Sequence, residues 1–287
     1  MKDFPAIPFL GNPAPVVGVI RLDGVIGRMG PIYRGLTLAA LADSLERAFR
    51  LRHLKAVALA INSPGGSAVQ SSLIAGRIRD LADEHDVPVY AFAEDVAASG
   101  GYWLALAADE IYADGNSIIG SIGVVSSGFG FTELIKRIGV ERRLHTAGDK
   151  KAMLDPFSPE KPADVRHLKD LQKDIHENFT AMVRDRRGDK LKADDKKLFS
   201  GAFWTGPRAL EMGLIDGIGD LRSEMRLRFG EKVKLKLVGG RKPFWRRRLS
   251  LAQASGMGHA PRDWSGDWAA RALAAIEERM IWNRFGL

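Results

Sequence analysis

Apolar positions along the chain alternate between two periods. Leu54-Lys55-Ala56-Val57-Ala58-Leu59-Ala60-Ile61 is too uniformly apolar for a sheet wet on one side and predicts a strand covered on both faces. Pro15 to Leu22 and Val87 to Ala93 read as two further strands, the second short and buried. Between them the period becomes helical. Leu38, Leu41, Leu45, Ala48 and Phe49 follow a capping Thr37, and Val69, Leu73, Ile74, Ile78 and Leu81 share a face after Ser67. Strand, helix, strand, helix, strand is the order of a right-handed parallel sheet, so the pattern predicts an α/β fold.

The second half predicts shorter elements. Glu94 to Gly101 reads as a small-residue turn that opens a helix ending near Ala108, with strands at Asp109 to Ala113 and through Ser117 to Val125. A short helix at Thr132 to Ile138 closes at Gly139, and Glu141 to His145 is expected to be a brief strand. Gly148 to Phe157 reads as an exposed loop. The longest helix runs from Ala163 to Arg187, with Leu168, Leu171, Ile175, Phe179 and Met182 on one side. A small helical hairpin, Phe203-Trp204-Thr205, a helix through Leu210 and an edge strand at Lys232 to Val238 complete the pattern. The division expected is a lead at 1–14, a main domain at 15–238 and an extension at 239–287.

Composition narrows the chemistry. Cysteine is absent from the 287 residues, which removes disulfides, a thiol nucleophile and thiolate metal sites. Of the formal charge of +8, nine Arg or Lys against four Asp or Glu lie from Arg241 onward. The remainder is nearly balanced, which argues against a nucleic-acid-binding core. Prolines and an acid interrupt Met1 to Pro8, so no secretory signal is expected, and no window approaches the roughly 20 apolar residues of a membrane span. The expected location is cytoplasmic, or peripheral on the inner face of the membrane.

Ser99 stands out among candidate reactive groups. Ala97, Ala98, Gly100 and Gly101 clear bulk around its hydroxyl, and the orphan N–H groups of the following helix start face the same spot. Taken alone, Ser99 reads first as a helix N-cap, since Ser is a favoured cap. Of the six histidines, His53, His85, His167 and His176 read as surface residues beside charged neighbours, and His145 lies near a loop. Lysine replaces histidine as a base when desolvated, which singles out Lys150 and Lys151. Gly65 and Gly66 after a buried strand supply backbone N–H groups unobstructed by side chains. No phosphate-binding GxxxxGK[ST] run and no metal-ligand spacing is present.

Together, Asn62-Ser63-Pro64-Gly65-Gly66, Ala98-Ser99-Gly100-Gly101-Tyr102, Gly120-Ser121-Ile122-Gly123-Val124, the Gly148 to Phe157 loop and Trp204-Thr205-Gly206 through Gly213-Leu214-Ile215-Asp216 resemble the signal peptide peptidase A family. These are Ser-Lys peptidases of the ClpP/crotonase fold group, with stacked ββα units, a mostly parallel sheet and helices packed outside. The resemblance implies Ser99 as nucleophile, Lys151 as general base with Lys150 the less favoured of the pair, Ser121 orienting the lysine, and Gly65, Gly66 and Gly100 around the oxyanion. It implies peptide substrates, signal-peptide remnants among them, no cofactor, and a homo-oligomer whose sites take Ser and Lys from neighbouring subunits. No N-terminal anchor is expected from Met1 to Pro8, which would be a departure from the family. Arg241 to Arg248, with Phe244 and Trp245, suggests peripheral membrane contact, followed by a helix from Gly266 to Trp282. A crotonase-type acyl-CoA enzyme, which would need neither Ser99 nor Lys151, and a catalytically silent membrane-associated scaffold are the alternatives.

Overall fold

The computed structural model describes residues 13–29, 33–239 and 268–287. In chain order the strands are β1 (Val16–Asp23), β2 (Arg28–Met29), β3 (Tyr33–Arg34), β4 (Leu54–Ser63), β5 (Val89–Ala98), β6 (Glu110–Ala113), β7 (Ile118–Gly120), β8 (Phe203–Thr205), β9 (Gly217–Ile218) and β10 (Lys234–Val238). The helices are α1 (Leu38–Phe49), α2 (Ala68–His85), α3 (Gly100–Ala105), α4 (Thr132–Arg137), α5 (Pro162–Arg187), α6 (Asp195–Leu198), α7 (Gly206–Glu211), α8 (Leu221–Phe229) and α9 (Trp268–Asn283).

The main sheet runs β10-β1-β4-β5-β6-β9, and every neighbouring pair is parallel. β7 continues from the far end of β5 in parallel, and β8 returns antiparallel to it. The α/β class, the mostly parallel sheet and the outer helices are as the sequence implied. The middle strands are buried on both faces, and their side chains alternate between two cores. Val57, Leu59 and Ile61 of β4 face α1, α2 and α3, while Ala56, Ala58 and Ala60 face α8 through Met225. Thr37 and Ser67 cap α1 and α2, accepting from Ala40 N and Gln70 N. β10 is the outer strand beside β1, at the sheet edge that its Lys-Leu alternation predicted.

Four expectations fail. The strand expected through Val125 stops at Gly120, where the chain turns and Ser121 N donates to Ala202 O. β5 does not stop at Ala93 but runs on to Ala98, because its charged residues have lateral partners: Arg21 pairs with Glu94 at 2.6 Å and Asn62 donates to Asp95 at 3.0 Å. Residues 141–145 form no strand; they are exposed and have no neighbouring strand among the described residues. The apolar stripe of α5 is buried only in its second half, at Phe179 and Val183, whereas Leu171 and Ile175 remain exposed. The basic run 241–248 lies outside the described residues. α9 is described from Trp268 onward, and its far end docks on the sheet. There Phe285 is buried against Val96 and Ala98, beside Trp282 and Ile118, and meets Phe203 edge-on at 5.2 Å.

Candidate active site

β5 delivers Ser99 to a sharp corner at which α3 begins. Its backbone stands at φ 53°, ψ −121°, a region that residues other than glycine rarely enter. Bonds on both sides hold it there: Ser99 N donates to Gly120 O of β7 at 2.7 Å, and Ser99 O accepts the first bond of α3 from Trp103 N at 3.0 Å. The Ser99 hydroxyl caps no backbone N–H, unlike Thr37 and Ser67, so the plain N-cap reading does not hold. Such a conformation persists only where the surrounding structure holds it, and the Ser99 hydroxyl has no hydrogen-bond partner among the described residues.

The loop from β4 packs directly on this corner. A Cβ on Gly65 would lie 2.8 Å from both Gly100 N and Ser99 Cβ, and one on Gly101 would lie 2.3 Å from Ser63 O. These glycines are therefore what allows β4 and the Ser99 turn to touch. Ile26 grips the other edge of the loop, donating to Gly65 O and accepting from Ser67 N, each at 2.8 Å. Gly65 N–H is committed to Ser63 Oγ at 3.2 Å. The N–H groups of Gly66 and Gly100 have no partner among the described residues, and both residues line the cavity that Ser99 enters. Of the glycines expected around the oxyanion, Gly66 and Gly100 keep free donors, and Gly65 supplies the close approach.

That cavity encloses about 930 Å³. Ser121 lines it, buried and at φ 52°, with its N–H donating to Ala202 O at 2.7 Å. α5 forms a wall through Lys169, Lys173 and His176, and the end of the chain forms another through Arg284 and Phe285. Behind Ser99, Trp103 stacks on Phe179 at 4.6 Å and clamps α3 to α5. Tyr102 donates to Leu214 O at 2.7 Å, and burial pushes its phenol above the ordinary tyrosine range. His176, expected at the surface, is only part-exposed: its Nε2 is buried and has no hydrogen-bond partner among the described residues. Lys173 before it and Phe179 after it on the same side of the helix leave its direction undecided in the sequence.

Lys150 and Lys151 lie on an exposed turn, where Lys151 N donates to Gly148 O at 3.1 Å, and neither lines the Ser99 cavity. Within one chain, Ser99, Ser121, Gly66 and Gly100 come together and Lys151 does not. The arm that carries it, residues 124–161, is held chiefly by its own contacts. Phe131 N donates to Pro156 O at 2.6 Å, and Arg142 pairs with Asp155 at 2.9 Å while lying over the Phe157 ring. The Arg142 guanidinium holds the Asp155 carboxyl below the usual carboxylate range. Phe129, Leu134, Ile138 and Val140 of this arm are more than half exposed.

The family model of "Peptidase family S49" matches residues 82–235, more than half of the chain and inclusive of Ser99, Ser121 and the arm. The chain belongs to peptidase family S49. Proteins named as proteases figure among its relatives: serine protease SPPA of the Arabidopsis thaliana chloroplast is 33% identical over 71% of this chain, and Protease 4 of Haemophilus influenzae 36% over 62%. A Brucella abortus protein named Na(+)/H(+) antiporter NhaA is 52% identical over 94% of this chain. The chain spans only 37% of the Brucella protein, 31% of the Arabidopsis one and 29% of the Haemophilus one. Among the described residues of this S49 chain, no helix is long and apolar enough to cross a membrane.

Proposed function

We propose that this chain is a serine endopeptidase that works through a Ser-Lys dyad shared between neighbouring subunits. The observation that carries the reading is the Ser99 corner: a strained nucleophile type with an uncommitted hydroxyl, in a cavity where the N–H groups of Gly66 and Gly100 are also unpaired. Ser99 Oγ attacks the carbonyl carbon of a peptide bond and its proton passes to the amine of Lys151. The oxyanion that develops is held by the two backbone donors. The proton moves on to the departing amine as the C–N bond breaks, and water then hydrolyses the ester, restoring Ser99. Ser121, buried beside the cavity, would orient the lysine.

The exposed position of Lys151 supports its delivery from a second copy. An arm in which Val125, Phe129, Leu134, Ile138 and Val140 are all more than half exposed has surface to bury, and a lysine acts as a base only where its charged form is disfavoured by desolvation. Seated in a neighbour's cavity, the arm would meet both needs. The substrates are peptides with apolar stretches, signal-peptide remnants among them, matched to the apolar side of the cavity. A fluorophosphonate tests the nucleophile: covalent labelling mapped to Ser99 and lost in Ser99→Ala is the expected result, and an active preparation that resists labelling refutes it.

One observation favours a second reading of the base. His176 lies in the same cavity with an unpaired Nε2, so a base supplied within the chain is available. His176→Gln abolishes peptide cleavage on that reading, with Lys151→Ala remaining active; the shared-dyad reading expects Lys151→Ala to be the dead variant.

A further inference from the structure

The charges around Ser99 are of one sign. On α5, Lys169, Gln172, Lys173 and His176 follow at the spacing i, i+3, i+4, i+7, which places them on one face, and all four line the Ser99 cavity. Arg284 faces them from the far end of the chain, after α9. No Asp or Glu lines this cavity among the described residues, although α5 carries Asp164, Asp170, Asp174, Glu177 and Asp185 on its other faces. Lys169 and Arg284 have no ion pair among the described residues, and Lys173 has only a long one, 3.7 Å to the exposed Glu177. A concave wall of unneutralised cations concentrates anions within it more strongly than a flat surface does.

From this we infer that α5 and the chain end form an anion-selecting wall, and that the peptides preferred by this cleft carry a carboxylate that reaches Lys169, Lys173 or Arg284. The inference rests on reading the Ser99 cavity as the peptide cleft. The floor by Gly66 and Gly100 is left to the apolar part of the peptide, so the preferred ligand is amphipathic, with an apolar stretch flanked by negative charge. The carboxylate has two sources, an Asp or Glu side chain or the free C-terminus of the peptide, and both present the same group to the same cations.

Binding separates these sources and leaves the chemistry aside. Three fluorescein-labelled peptides share one apolar core: one neutral with an amidated C-terminus, one neutral with a free C-terminus, and one with an internal Glu pair and an amidated C-terminus. Fluorescence anisotropy on the full-length Ser99→Ala chain reads Kd for each at low and at high salt. One or both carboxylate peptides should bind roughly tenfold more tightly than the neutral one at low salt, since exposed and part-buried pairs each contribute up to a few-fold. About 0.5 M salt should remove most of that difference. Lys169→Gln with Lys173→Gln should bring the ratio toward one, and Lys169→Glu with Lys173→Glu should invert it. The ratio is taken within each variant, so a general loss of affinity does not imitate the effect. Equal Kd values for all three peptides, no peptide binding at all, or a preference that survives both double variants overturns the inference. A preference that is present although the wild type cleaves none of the peptides keeps the anion-selecting wall and removes the peptidase reading instead.

Discussion

Ser99 stands at φ 53°, ψ −121°, and that strain makes a thermodynamic prediction independent of any activity assay. Backbone held in so sparsely populated a region costs about 1–3 kcal/mol for a residue with a Cβ. Ser99→Ala keeps the Cβ and therefore the strain, and it removes a hydroxyl that caps nothing, so it should leave stability nearly unchanged. Ser99→Gly relieves the strain but adds roughly 0.5–1 kcal/mol of conformational entropy to the unfolded chain. The difference leaves Ser99→Gly more stable than Ser99→Ala by about 1 kcal/mol. At roughly 2–4 °C per kcal/mol for a domain of this size, the melting midpoint rises by a few degrees. Denaturant unfolding of the two variants, followed by far-UV circular dichroism, measures it. A Ser99→Gly protein that is less stable than Ser99→Ala would show that the corner is not strained and that the conformational argument for a nucleophile fails.

Other predictions follow from groups around that corner. Asp216 is half-buried; burial works against its charge, but bonds from Arg187, Lys190 and Ile111 N–H outweigh it and hold the carboxyl below its usual range. Asp216→Ala strands the buried Arg187 and should cost about 3 kcal/mol. Because the folded-state pKa is depressed, this contribution is fully present above the unfolded value of about 3.9 and is lost as pH falls through the folded one, so the gap between wild type and variant should close in acid. Equal acid sensitivity of the two proteins would contradict that. Gly101→Ala drives a Cβ to 2.3 Å from Ser63 O, a backbone atom that cannot swing aside, and should lower fluorophosphonate labelling of Ser99 by at least tenfold. Unchanged labelling kinetics would show that β4 and the Ser99 turn need not touch. Phe285→Ala removes the ring that seats the chain end on Val96 and Ala98, and amide exchange across residues 280–287 should accelerate by on the order of thirtyfold. Exchange at the wild-type rate would mean that other contacts hold this end.

Much of the scaffold was legible because its signals are local. β4 is apolar throughout since both of its faces are covered, and Thr37 and Ser67 announce the helices that they cap. The path of β5 to Ala98 was not legible, because Glu94 and Asp95 look like the end of a strand until Arg21 and Asn62 are known to lie beside them. Long-range contacts hid the rest of the site as well. His176 has charged and apolar residues on either side of it along α5, and only the crossing of that helix over the Ser99 turn shows which face points inward. Phe285 reaches Val96 from the opposite end of the sequence, and its place beside the cavity follows from tertiary packing alone. Ser99, Gly66 and Gly100 were candidates because small residues cluster at the strand ends, whereas Ser121 was named only through the family resemblance; the structure places all four around one cavity. The placement of Lys151 outside the cavity could not be read from spacing, since the sequence gives the order of the arm's residues and not its direction.

The central claim is a site assembled from Ser99 of one subunit and Lys151 of another, and complementation tests it directly. Ser99→Ala and Lys151→Ala proteins, each inactive alone on an apolar peptide, are unfolded together, refolded as a mixture and assayed. Random pairing leaves about a quarter of the interfaces with an intact Ser99 and an intact Lys151, so the mixture should recover roughly that share of wild-type activity. A mixture that forms mixed assemblies and stays inactive would place both groups in the same chain, or neither in the reaction, and would contradict the account.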